Sequence, residues 1–245
     1  MEQTLNDKVV LITGGARRVG AAITRKLHAA GAAVVIHYHR SAEAAQALSA
    51  ELNAQRASST TPLGGDLLDL KVLSSLVDAT IARFGHLDIL INNASTFYPT
   101  PVGEITLAHW DDLMGTNLRA PLFLSQAAAP HLKAREGLIL NIADIHGLRP
   151  LRLHTVYSPA KAGLIMLTQS LARELASITC LPLHVVDMMQ FRDGGAAVPH
   201  AEFLAAHAAL VYSTVQGDER WHFSGADGHS VSVPVKGPLR SNNLS

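Results

Sequence analysis

The sequence lacks the features that are typical of secreted and membrane-spanning proteins. Its 245 residues include a single cysteine, Cys180, so no disulfide can form within the chain. Met1–Asp7 contains no basic stretch followed by an apolar run, and no secretory signal is therefore expected. No uninterrupted apolar stretch reaches the roughly 18 residues of a membrane span. These absences predict a cytoplasmic protein with no membrane partner.

The chain also lacks an excess of charge of either sign, because 20 Lys and Arg residues balance 20 Asp and Glu residues. Without a basic field, nucleic acid is not an expected partner. Hydrophobic residues make up 48% of the sequence and charged residues 16%, which excludes a disordered chain. We find no repeat, linker or second domain, and we predict one domain over residues 1–245.

Short apolar runs alternate with longer amphipathic patterns, which predicts repeated βα units and a doubly wound parallel sheet. Gly31 and Gly85 are expected to end helices, and Ser41 to cap the second one. The predicted strands are Lys8–Thr13, Ala33–Tyr38, Thr60–Leu63, Leu87–Ile91 and Gly137–Ile142, with a weaker sixth at Leu183–Val186. The predicted helices are Val19–Ala30, Ser41–Ala54, Leu70–Phe84, Leu118–Ala134 and Val156–Ala176.

A glycine-rich segment, Thr13–Gly20, lies between the first strand and the first helix. Gly14 permits a tight turn, Gly20 permits close approach of helix and strand, and the helix N-terminus offers free N–H groups to a pyrophosphate. An ordinary βα turn is the alternative. Its position at the start of the βαβ series favours dinucleotide binding in a Rossmann-type fold, with Arg17 and Arg18 in the binding loop.

The pattern Thr-Gly-x-x-x-x-x-Gly resembles the fingerprint of the short-chain dehydrogenase/reductase family. Arg18 stands where that family usually has glycine, and this arginine resembles the pteridine reductase branch. The resemblance implies that Arg18 lies between the cofactor pyrophosphate and the substrate. A solvent-exposed arginine at the start of a helix is the alternative.

The second strand is followed by basic and hydroxyl side chains instead of the acid that binds the ribose of NAD. Arg40 and Ser41 can bind a 2′-phosphate, so the predicted cofactor is NADPH. The run His37, Tyr38, His39, Arg40 and Ser41 also resembles the pteridine reductases. No third ligand accompanies the two histidines; we predict no metal site and interpret both as cofactor-rim or packing residues.

Tyr157 and Lys161 lie four apart at the start of a predicted helix, so both can point into one cleft. The ammonium favours the ionised phenol, which suits proton transfer. A surface Tyr and Lys is the alternative. The family resemblance implies that Lys161 also holds the nicotinamide ribose. It implies as well that Asn117, in the helix predicted to follow the fourth strand, completes the catalytic group. It also implies an adenine-side position for Asp66 and Leu67, although Asp66 could simply cap a helix.

The residue at the end of the fifth strand departs from most relatives, which carry serine there. This chain has Asp144, which can accept bonds from ring N–H and amino groups or share a proton with Tyr157. An inactive or altered site is the alternative. The resemblance further implies that Asn93, Ala94 and Ser95 meet the cofactor, and that Ser95 and Phe97 bind a pterin. A buried core phenylalanine is the alternative for Phe97.

These motifs predict an NADPH-dependent pteridine reductase acting on a dihydropterin or dihydrofolate. A carbonyl reductase of the same family and an inactive nucleotide-binding remnant remain alternatives. The resemblance stops near residue 176: residues 177–245 lack the expected Asn-x-Val-x-Pro-Gly strand end and the terminal Asp-Gly-Gly. We expect irregular structure there, hypothesise a shifted reading frame or divergence, and expect a homotetramer only if this segment folds.

Overall fold

The computed structural model describes residues 5–175, 177–185, 220–224 and 230–234. Six parallel strands form one sheet in the order β3-β2-β1-β4-β5-β6. They are β1 (Val9–Ile12), β2 (Ala33–Tyr38), β3 (Thr60–Gly64), β4 (Ile89–Asn92), β5 (Leu138–Asp144) and β6 (Thr179–Val185). The helices are α1 (Arg18–Ala29), α2 (Ala42–Gln55), α3 (Leu70–Phe84), α4 (Leu107–Met114), α5 (Ala120–Lys133) and α6 (Tyr157–Glu174).

Helices cover both faces of the sheet, so the prediction of a Rossmann-type doubly wound fold is confirmed. Alternate residues of each strand point to opposite faces. Val10 and Ile12 pack into the cluster that holds apolar residues of α1 and α2, whereas Val9 and Leu11 pack into the cluster built with α3, α5 and α6. Burial on both faces explains why the strands read as continuous apolar runs.

Helix ends follow the predicted signals with one exception, and one helix was not predicted. Gly85 ends α3 in the left-handed conformation, with φ of 83°. Ser41 occupies the predicted N-cap position of α2, but its side chain makes no capping hydrogen bond. The sequence analysis did not predict α4, which begins at a capping box formed by Thr106 and His109.

The prediction of irregular structure after residue 176 is wrong for β6. Thr179–Val185 pairs in parallel register with the whole of β5, from Leu138 opposite Thr179 to Asp144 opposite Val185. The predicted sixth strand therefore begins four residues earlier, and Val186 lies outside the described residues. Two further strands, β7 (Arg220–Ser224) and β8 (Ser230–Pro234), pair antiparallel as a separate ribbon. Within the described ranges, no helix is long and apolar enough to cross a membrane.

Candidate functional site

The loops that follow β1 and β4 are tied together at the carboxyl edge of the sheet. The buried Thr13 hydroxyl oxygen accepts hydrogen bonds from the backbone N–H groups of Asn93 and Ala94, both at 3.0 Å. In return, the Asn93 amide donates to the carbonyl oxygens of Thr13 at 2.9 Å and Gly14 at 3.1 Å. The predicted glycine-rich loop and Asn93–Ala94 therefore form one rigid unit.

Two glycines of this unit are required by its geometry. Gly14 has φ of +63°, in the left-handed region, and a Cβ there would lie 3.1 Å from the Ala94 Cα. A Cβ on Gly20 would lie 2.1 Å from the Gly14 carbonyl oxygen, which no side chain can accommodate. The loop therefore packs against the first turn of α1 at backbone distance.

The N-terminus of α1 can attract an anion. Arg17 is its N-cap residue and Arg18 its first residue; both are exposed, and the first turn contains no acidic side chain. The helix dipole and the two guanidinium groups therefore act in the same direction. This arrangement fits the pyrophosphate of a dinucleotide.

The second basic group lies after β2. Arg40 is exposed beside Ser41, and His39 Nε2 lies 3.9 Å from a carboxylate oxygen of Asp66. The Tyr38 ring packs against Gly64 of the neighbouring strand, where an added Cβ would lie 2.9 Å from the phenol oxygen.

Asp66 does not cap α3, which removes the structural alternative for this residue. Its carboxylate accepts the backbone N–H of Leu68 at 3.0 Å, while Asp69 caps the helix by accepting from Lys71 N–H. Leu67, which we assigned to the cofactor site, is buried in the core.

The structure places His37 in the interior and so corrects its assignment to the cofactor site. Its side chain is only 1% exposed, and both ring nitrogens are engaged: Nδ1 with Gly14 N–H at 3.3 Å and Nε2 with Gly65 O at 3.1 Å. Burial lowers the pKa of His37 from 6.5 to about 4. The packing interpretation is therefore correct, because no ring nitrogen remains for a ligand.

The three side chains predicted around the reaction centre are brought together. The Tyr157 hydroxyl donates to Asp144 Oδ2 at 2.6 Å, across from β5 to the first turn of α6. Lys161 lies one turn further, is fully buried, and donates to Ile142 O at 2.9 Å. Burial lowers the pKa of Lys161 to about 8, although the nearby Asp144 charge acts in the opposite direction.

Asn117 lies in a single π-helical turn, Gly115–Arg119, and not in the regular helix that we predicted. Its buried amide donates to Leu113 O at 2.9 Å and Thr96 O at 3.0 Å, and its oxygen accepts from the Ser95 hydroxyl at 2.6 Å. A π turn shifts the helix register locally and often marks a functional site. Here it lets Asn117 fix the loop that carries Ser95.

Phe97 lies beside Tyr157 in an aromatic group that includes a residue our sequence analysis missed. Its ring stacks on His154, with centroids 4.5 Å apart and an interplanar angle of 15°. It also meets Tyr157 edge-on at 4.8 Å. Because Phe97 is 54% exposed, the core-residue alternative is wrong. The only sequence signal for His154 was its position three residues before Tyr157.

Comparison with known proteins identifies the family of this chain. The family model described as short chain dehydrogenase matches residues 8–185. The chain belongs to the short-chain dehydrogenase family. It is therefore an oxidoreductase of a family that uses a nicotinamide cofactor, NAD or NADP, and acts on small molecules.

Relatives of this short-chain dehydrogenase differ in the substrates that their names indicate. It is 37% identical to "Pteridine reductase 1" of Leishmania tarentolae over 208 residues, covering 69% of this chain and 72% of the relative. It is 33% identical to "Galactitol 2-dehydrogenase" of Agrobacterium fabrum over 226 residues, covering 88% and 81%. An uncharacterized oxidoreductase of Staphylococcus epidermidis is 32% identical over 176 residues, covering 70% and 73%.

Proposed function

We propose that this short-chain dehydrogenase is a pteridine reductase, which transfers hydride from NADPH to a dihydropterin or dihydrofolate ring. The observation that carries the proposal is the 2.6 Å hydrogen bond from Tyr157 to Asp144. Asp144 stands where most relatives carry a serine that orients a carbonyl. A carboxylate only accepts hydrogen bonds, so it suits a substrate edge rich in N–H donors, such as the ring N–H and amino groups of a pterin.

The surrounding residues can hold a flat heteroaromatic ring. Phe97 has one face against His154 and is otherwise half-exposed, which leaves aromatic surface beside Tyr157 for stacking. Arg18 extends from the start of α1, and the Ser95 hydroxyl lies on the loop after β4. We assign substrate binding to Arg18, Ser95, Phe97, Asp144 and Tyr157.

The proposed reaction needs a hydride from the cofactor and a proton that passes through side chains of the protein. When bound, NADPH would supply a hydride to a ring carbon of the substrate, and the adjacent ring nitrogen would take one proton, so that the products would be NADP⁺ and the tetrahydro ring. Tyr157 with Asp144 moves that proton, since the two oxygens already share a short hydrogen bond. Lys161, charged below about pH 8, favours the ionised phenol. Asn117 positions the loop that faces them.

NADPH is proposed over NADH because of the residues after β2. Arg40 is exposed, and the Ser41 side chain makes no hydrogen bond that caps α2. The segment His37–Ser41 also contains no carboxylate that would repel a 2′-phosphate. The remaining proposed cofactor contacts are Gly14, Arg17, Arg18, Gly20, Tyr38, His39, Asp66, Asn93, Ala94, Ser95 and Lys161. We further propose a cytoplasmic location and, on condition that the segment after β6 folds, a homotetramer.

A polyol or carbonyl substrate is the second candidate. It is favoured by the galactitol dehydrogenase relative, whose alignment covers 88% of this chain. A hydroxyl is also a donor, so Asp144 could accept from it as well as from a ring N–H. A third candidate is a nucleotide-binding protein without turnover, motivated by the altered segment after β6.

The deciding experiment is a substrate survey on the purified protein. NADPH oxidation is followed with dihydrobiopterin and dihydrofolate, and in parallel with a panel of ketones; galactitol is tested with NAD⁺ and NADP⁺. We expect turnover with the pterins and at least about 100-fold less turnover in Tyr157→Phe. Turnover of ketones or galactitol alone would identify the second candidate, and NADPH binding without any turnover would identify the third.

A further inference from the structure

His37 connects two loops that approach opposite ends of the proposed cofactor site. β2 lies between β1 and β3 in the sheet, and His37 is its penultimate residue. One ring nitrogen meets Gly14 in the phosphate loop after β1, and the other meets Gly65 in the loop after β3 that also carries Asp66. A single buried side chain therefore spans the pyrophosphate side and the adenine side.

The partners fix the tautomer of the ring. A backbone N–H can only donate, so Nδ1 must accept from Gly14; a carbonyl can only accept, so Nε2 must carry the hydrogen that it donates to Gly65 O. His37 is therefore neutral and protonated on Nε2. The imidazolium would place an N–H against the N–H of Gly14, and the low pKa of about 4 caused by burial agrees with the neutral form.

The bond to Gly14 acts at the point where the phosphate loop turns. Gly14 has φ of +63°, and Gly15 N–H also bonds to the backbone carbonyl of His37 at 3.0 Å. On the other side, Gly65 N–H bonds to the Tyr38 carbonyl at 2.9 Å. The backbone of β2 thus holds each loop near its strand, and the His37 ring adds the direct link from one loop to the other.

We propose that His37 is a positioning residue for the dinucleotide, which sets the spacing between the pyrophosphate loop and the adenine loop through Gly14 and Gly65. It contacts no ligand itself. Its effect is largest for a ligand that bridges both loops, because a ligand held by one loop does not depend on their spacing. The proposal rests on the nicotinamide cofactor of the family and not on the pterin substrate.

Three substitutions separate the two bonds. His37→Asn keeps an acceptor near the Nδ1 position and loses the donor to Gly65. His37→Gln keeps a donor near the Nε2 position and loses the acceptor for Gly14. His37→Phe keeps the ring but removes both bonds. Thermal melts followed by circular dichroism establish that each variant is folded before binding is measured.

The measurement is the Kd of NADPH against that of adenosine 2′-monophosphate, a fragment that lacks both phosphates of the pyrophosphate and so reaches only the adenine side. We expect NADPH affinity to fall about tenfold in His37→Gln and in His37→Asn, the size of one lost hydrogen bond, and further in His37→Phe. The fragment Kd should change less than threefold. Equal losses for NADPH and the fragment, or an unchanged NADPH Kd in folded Gln and Asn variants, would overturn the proposal. Neither outcome bears on whether pterins are substrates.

Discussion

Acidification should destabilise this protein through His37, and the size of the effect follows from its burial. The ring is neutral in the folded state because burial lowers its pKa to about 4, whereas in the unfolded chain the ordinary value of 6.5 applies. The neighbouring His39 opposes protonation further, and Asp66 favours it, but burial dominates. The unfolded state therefore binds a proton at a higher pH than the folded state does.

The sign and magnitude follow from linkage. The stability that neutral His37 provides is complete above pH 6.5 and is lost as the pH falls towards 4, because protonation then favours unfolding. The difference between the folded and unfolded pKa values corresponds to about 3 kcal/mol over the whole range, of which about 2 kcal/mol is lost between pH 7 and pH 5. That loss is a large part of a typical margin of about 5–15 kcal/mol.

Urea unfolding of the cofactor-free protein at pH 7, 6 and 5 measures this loss, with His37→Gln as the matched control. The variant lacks the titrating group, so other histidines and carboxylates contribute equally to both proteins. Its constant offset from the missing Gly14 bond does not affect the slope with pH. We expect the parent to lose about 2 kcal/mol more than the variant from pH 7 to pH 5. Parallel pH curves would refute the argument that His37 is buried in its neutral form.

Three further outcomes test the proposed chemistry, and a fourth tests the reading frame of the segment after β6. Tyr157→Phe should lower turnover at least about 100-fold with an unchanged NADPH Kd, measured by fluorescence titration, and wild-type rates would show that the phenol is only structural. Above about pH 8, where Lys161 loses its proton, kcat/KM should fall up to tenfold per pH unit; a flat profile to pH 10 would contradict a role for its charge. Arg40→Asp should reduce or reverse the preference for NADPH over NADH in paired Kd measurements, and equal affinities in the parent would contradict our assignment. Re-reading the source DNA should reveal a frame that restores Pro-Gly after β6, and the absence of such a frame would contradict the frameshift hypothesis in favour of divergence.

The sheet was predictable from sequence because its strands are buried on both faces. β2 was predicted with its observed ends, Ala33 and Tyr38, since Gly31 and a run of β-branched residues delimit it. α4 was missed although Leu107, Trp110 and Met114 recur at helical spacing, because it is only eight residues long and most of its apolar surface is exposed; of its residues only Leu113 is buried. A capping box marks its start, and hydrophobic periodicity does not reveal a cap.

The candidate site was predictable where a motif fixes the position and not where the environment does. Tyr157 and Lys161 share a helix face by spacing alone, so their proximity was foreseeable. His37 and His39 are two positions apart and look equivalent in sequence, yet His37 lies in β2 and is buried, whereas His39 follows β2 and is about half-exposed. His154 lies in an irregular segment before α6, where no repeat predicts which way a side chain points.

The hydrogen bonds between Thr13 and Asn93 have a consequence for the order in which parts of the proposed cofactor site form. The residues they join are 80 positions apart, and β1 pairs with β4 across a similar distance. Such non-local pairing is slow to form and requires that both segments already exist. During synthesis the nascent chain therefore completes β1, α1, β2, α2, β3 and α3 before the glycine-rich loop receives its final support. A cofactor bound at this loop as we propose would stabilise the fold only after β4 and Asn93 have emerged, because it would favour the assembled sheet over its precursors.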